Sequence, residues 1–211
     1  MNRISSLATS SGRRASSRAA LIGAVLAMSP LTLDARPVTP PPVPGDIVVS
    51  AEHKPFLIGH AVGTQNYVCL PSSGPSPFAW TLFGPQATVF DDHDRQIATH
   101  FLSPNPDEAG TPRARWHSQD SSSVWAVRDA SSSDADYVAP GAIPWFRLRV
   151  VGTDAGPDGG RRLTETTWLQ RINTSGGVAP ATGCAQSTDV GKVELIPYAA
   201  DYVFFKLAAR P

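Results

Sequence analysis

"IPWFRLRVVG", Ile143 to Gly152, alternates apolar and charged side chains. Phe146, Leu148 and Val150 share one face of an extended chain and Arg147 and Arg149 share the other, the period of a half-buried β-strand. "TDAGPDGG", Thr153 to Gly160, then supplies a run of Asp, Gly and Pro. Beyond it "RRLTETTWLQRIN", Arg161 to Asn173, resumes the alternation with Trp168, Gln170 and Ile172 on one side. Two such runs across a turn-rich linker predict an antiparallel hairpin. From Asp46 onward no segment carries a sustained helical spacing of apolar residues, so the hairpin sets the rule for the rest of the chain.

Comparable runs occur at Ile47 to Ala51, Gln65 to Leu70, Phe78 to Phe83 and Ala87 to Phe90. Others are Gln96 to Leu102, Arg113 to His117, Val124 to Val127, Val193 to Ile196 and Asp201 to Leu207. The 17 glycines and 20 prolines of the chain punctuate them densely. This pattern predicts an all-β domain, an antiparallel β-sandwich or barrel of about ten short strands. No repeat of fixed period occurs, which argues against a propeller or solenoid.

The front of the chain differs in composition. Residues 1–35 carry Arg3, Arg13, Arg14 and Arg18, no acid before Asp34, and an apolar run from Ala19 to Met28. A basic start, a short apolar stretch and small residues near Ala27 or Ala35 describe a secretory signal peptide. The apolar run is about ten residues, roughly half the length of a bilayer-spanning helix, so no transmembrane segment is expected in the mature chain. A mitochondrial transit peptide shares the arginine and serine richness and stays open as an alternative. Residues 36–45 form a proline-rich linker, stiff and not expected to pack. Residues 46–211 then make a single β domain, long enough for a core that needs no metal. The formal net charge is zero, and about −3 without residues 1–35, so no global field draws nucleic acid. The expected location is secreted or periplasmic.

Cys69 and Cys184 in an exported chain are most simply disulfide partners, the alternative being two buried free thiols. Neither has a histidine or carboxylate at metal-binding spacing. In "LQRINTSGGVAPATGC", Leu169 to Cys184, the glycines are not followed by a helix or by Lys-Ser/Thr, so a phosphate cradle is excluded. They read as a strand exit that permits positive φ. Asn173-Thr174-Ser175 fits the glycosylation sequon. "DDHDRQ", Asp91 to Gln96, lacks the ligand spacing and glycine of a calcium loop and reads as a solvated hairpin turn. His100 alternates with Ile97, Thr99 and Phe101, which places it off the more apolar face. The tryptophans are read first as core, or as an exposed strip that would suit a sugar or apolar ligand. No nucleophile elbow, zinc-helix motif or dinucleotide fingerprint occurs.

"YVC", "WTLFGPQATVFD", "THFLSPNPDEAGT", "APGAIPW", "LQRINTSGGVAPATGC" and "PYAADYVFFK" together resemble the secreted family known as domain of unknown function 3455. The resemblance runs from about Ile47 to Leu207. It implies export, a Cys69–Cys184 pair and no established activity. "SPNPDEAGTPRARWHSQD" departs from the Gly-Pro-Thr-Trp form of many members, so no role tied to that form carries over.

The expected function is a non-catalytic exported β domain that binds a ligand or partner, or has a structural role in the envelope. The partner would be a small molecule, a glycan or an envelope component, with no cofactor and no metal. Candidate ligand-contacting residues are His100, Trp116, Trp168 and Asn173. The alternative is a metal-dependent or hydrolytic enzyme using His100 with Asp91, Asp92 or Glu165. A carrier of small hydrophobic ligands is a further reading, and it requires a barrel with an open cavity.

Overall fold

The alternating runs pair into one antiparallel sheet that closes on itself as an eight-stranded barrel, each strand bonded to the next in sequence and the last to the first. The computed structural model describes residues 38–209, so the expected signal peptide lies outside the described residues. The first four strands are β1 (His53–Pro71), β2 (Phe78–Phe90), β3 (Gln96–Asn105) and β4 (Thr111–Ser118). They are followed by β5 (Ser123–Ser132), β6 (Trp145–Asp154), β7 (Trp168–Gly176) and β8 (Val193–Leu207). Closure leaves no unpaired edge around the barrel itself, and eight strands enclose a space that side chains or one small ligand can fill. The hairpin is present as β6 and β7, with Phe146 opposite Arg171 and Leu148 opposite Leu169.

The strands are fewer and longer than the sequence pattern predicts, because two pairs of runs are continuous. Phe78–Phe83 and Ala87–Phe90 join through Gly84 and Pro85. There Asn66 pairs with Gly84 and Tyr67 with Leu82, which leaves Phe83 as the extra residue of a bulge. Val193–Ile196 and Asp201–Leu207 join through Pro197, which lies opposite Thr64. Ile47–Ala51 is not a strand. Gly45–Ile47 makes a single 3-10 turn, and the chain after it lies across the outside of the barrel as a strap. Its carbonyls bond to side chains instead of a neighbouring strand. Gln170 Nε2 donates to Ile47 O and Arg147 Nη1 to Val48 O, each at 2.7 Å. The proline-rich stretch is not wholly free either, since Pro44 is buried and Val43 packs on the same outer cluster.

Alternation sorts the side chains into two cores. Ala61, Val89, Ala98, Trp116, Leu169 and Phe204 belong to the inner one. Ile47, Trp145, Ile172, Val203 and Phe205 form the outer one beneath the strap. Trp168, Gln170 and Ile172 do share a face, and it is the outer face.

The two ends of the barrel differ. At the end holding the β2–β3, β4–β5 and β6–β7 connections, Leu163 is driven into the inner core and its N–H donates to Ser122 Oγ. Asp120 holds the same connection by accepting from the N–H groups of Arg161 and Arg162, each at 2.8 Å. That end is plugged. At the other end β1, β2 and β8 run on as a projecting ribbon. Cys69 of this ribbon is disulfide-bonded to Cys184 of the β7–β8 connection, across 115 residues. The glycines of that connection behave as expected, with φ of 62° at Gly176 and 80° at Gly177. Among the described residues no helix is long and apolar enough to cross a membrane, which bears on helices only.

Candidate functional site

The end beside the ribbon is open, with a cleft of about 290 Å³ leading into the barrel. All eight strands line it. Gln65, Leu82, His100 and Trp116 come from β1 to β4, and Ala126, Leu148, Arg171 and Tyr202 from β5 to β8. Small side chains at Ala114 and Ala126 leave room in its wall. A second groove, about 740 Å³, runs along β1, β2 and β3 and shares His100 and Leu102 with the mouth.

His100 and Trp116 meet here. Their rings stack at 4.1 Å between centroids and 12° between planes. Tyr202 stands edge-on to both at 5.0 Å. His100 is therefore on the inner face, contrary to the sequence reading. The bulge at the start of β3 puts Ala98 and His100 in phase with the interior and turns Thr99 and Phe101 outward. Its Nδ1 lies 2.9 Å from the Arg115 carbonyl, which assigns that nitrogen the proton. Burial then holds its pKa down at about 3, so the imidazole is neutral.

Of the three arginines that line the cleft, Arg113, Arg128 and Arg171, Arg171 is the buried one. It shares the inner face of β7 with Leu169, is 9% exposed, and its Cζ lies 3.9 Å from the Phe146 ring centroid. Nη2 donates to Pro144 O at 2.8 Å, while Nε is buried with no partner. Tyr67, Tyr198 and Tyr202 surround it, and burial raises the pKa of all three, so they remain neutral phenols. Arg128 stands exposed at the rim, 5.4 Å from the same Phe146 ring.

The other candidates lie elsewhere. Trp168 is on the outer face, with Arg147 Cζ 5.4 Å from its ring. Asn173, at φ 50°, donates to Asp201 Oδ2 at 2.7 Å on the outside of the barrel. Asp201 also bonds His60, which reaches Asp92 with its other nitrogen at 2.9 Å. Asp91 accepts from the N–H groups of His93 and Arg95 and pairs with the Arg95 side chain, which makes "DDHDRQ" the β2–β3 hairpin turn. Glu165 pairs with Lys206 at 2.6 Å. His100 is thus not brought together with Asp91, Asp92 or Glu165. Among the described residues no group of three or more His, Cys, Asp or Glu is placed to hold a metal ion. Arg171, Gln65 and Tyr202 were not singled out from the sequence. The available signal was a cation in phase with Leu169 and out of phase with Trp168 and Ile172.

No curated protein and no solved structure matches the chain. The model of one family does match it, over residues 50–206, which span the barrel almost from end to end, and the chain belongs to that family, described as a protein of unknown function (DUF3455).

Proposed function

We propose that this barrel is an exported, non-catalytic binding domain that takes a small, largely apolar molecule into its open mouth. One observation carries the reading: a cleft lined from all eight strands, with an aromatic stack on one wall and aliphatic side chains around it. Small-ligand sites have this character, concave and mostly apolar with a few placed polar groups. Small barrels closed at one end and open at the other suit such cargo. Location outside the cytosol is supported by the Cys69–Cys184 bond and by the basic, then apolar, start of the chain.

The test is titration of the purified protein with the neutral fluorescent probe N-phenyl-1-naphthylamine. Saturable, blue-shifted emission at one probe per chain is expected, and filling the cleft by Ala126→Phe or Ala114→Phe abolishes it. Absence of saturable binding by the wild type, or unchanged binding by both filled variants when folded, refutes the reading.

A further inference from the structure

We propose that the occupant of the mouth is an apolar acid whose carboxylate pairs with the guanidinium of Arg171. This rests on the binding function above and names the chemical class of the ligand. Arg171 remains charged at any ordinary pH and presents five N–H donors. Within the described residues it takes part in none of the ion pairs. Its neighbours are a carbonyl, an aromatic ring and neutral phenols. A buried cation that has no counter-ion is costly, because the interior does not replace the hydration it loses. The Phe146 ring and the Pro144 carbonyl offset part of that cost, and Nε is left over.

The leftover groups point in one chemical direction. Trp116 Nε1 is also buried with no partner, and its residue lines the same cleft as Arg171. Two N–H donors lacking acceptors call for a group that only accepts. An ionised carboxylate is such a group, with two oxygens that fit the guanidinium fork. Rim Arg128, which also joins no ion pair among the described residues, would draw an anion towards the opening. Arg113, the third arginine of the wall, is neutralised by its pair with Glu108 at 2.8 Å, and Leu82, Leu102, Ala114, Ala126 and Leu148 suit an apolar body. At the ~30 Å³ that one water occupies, the cleft holds roughly ten such volumes, the scale of a medium-length chain or a small ring system.

The experiment compares octanoate with 1-octanol, which differ in the head group alone, as competitors of N-phenyl-1-naphthylamine at neutral pH. Octanoate should displace the probe from wild-type protein at a concentration about ten- to a hundredfold lower than octanol, the range of a charge-assisted hydrogen bond. In Arg171→Gln that preference should vanish, the ratio of the two competing concentrations falling to about one whatever the variant's own affinity for the probe. Equal competition by acid and alcohol on wild-type protein that binds the probe overturns the acid inference and leaves mouth binding standing. A preference that persists in Arg171→Gln also overturns it, because the charge read is then not that of Arg171. Failure of probe, acid and alcohol alike to bind overturns both readings. The wild-type comparison needs no variant, so a misfolded Arg171→Gln leaves the inference open to refutation.

Discussion

A histidine stacked against tryptophan inside a barrel responds to acid in the opposite sense to one on the surface between carboxylates. His100 is 4% exposed and its folded pKa is lowered from 6.5 to about 3, by burial first. Below 6.5 the unfolded chain takes up a proton that the folded state refuses, so stability falls as pH falls, by about 1.4 kcal/mol per unit. His60 works the other way. The Asp92 hydrogen bond, the largest influence, and Asp201 raise its pKa, so its contribution is complete below 6.5 and is lost as pH rises through the folded value. His100→Asn keeps a donor for the Arg115 carbonyl and removes the titration. Its stability deficit at neutral pH, from the lost stacking, should therefore shrink by about 2 kcal/mol between about pH 7 and about pH 5. Urea denaturation of both proteins across that range reads the effect. A constant deficit would mean that the imidazole is already solvated in the native state. Little of this environment was legible in the sequence. Period two separates two faces but does not say which one points inward, and a single bulged residue ahead of Ala98 reverses the assignment of His100.

The strands themselves were more legible than their lengths or partners. "IPWFRLRVVG" gives β6 with Phe146 and Leu148 inward, because both sides of the hairpin are local and the turn between them is rich in glycine. Pairing of β1 with β8 joins residues at the two ends of the domain, and no local pattern encodes such a contact. The strap was misread for a related reason. "DIVVS" alternates, yet Ile47 is its one fully buried residue, packed with Trp145, Ile172 and Val203 and flanked by Val43 and Val49, while Val48 is 48% exposed. Gln170 on the face below was equally ambiguous, a polar residue between two apolar ones that serves as the acceptor's partner for the strap. Ile47→Ala should accordingly cost about 2–4 kcal/mol through the cavity left in the outer core. Val48→Ala, next in sequence, should change stability by less than about 0.5 kcal/mol. Urea midpoints decide it, and equal effects would show that the strap does not pack as a structural element.

At the scale of the molecule, closure of the barrel and the Cys69–Cys184 bond do separate work. The barrel is held by its own ladders, and even beside the cysteine the backbone is bonded without help from sulfur. Cys69 N–H donates to Lys192 O and Gly191 N–H to Cys69 O, each at 2.9 Å. The disulfide acts on the unfolded chain, where it closes a loop spanning 115 residues. It also fixes the β7–β8 connection against the ribbon, where Trp80 Nε1 donates to Thr182 O at 2.9 Å. Replacing both cysteines by serine should then leave the far-ultraviolet spectrum of the barrel in place and lower the unfolding free energy by about 2–4 kcal/mol. The mouth should feel the change as well, because Leu82, which lines the cleft, stands on the same ribbon. Weaker binding of the neutral probe by the folded double variant is therefore expected, with tryptophan emission shifted to the red as the bond from Trp80 to Thr182 loosens. Loss of the β spectrum would assign closure itself to the disulfide. An unchanged midpoint with unchanged probe affinity would mean that the hydrogen bonds around Cys69 hold the ribbon and connection together alone.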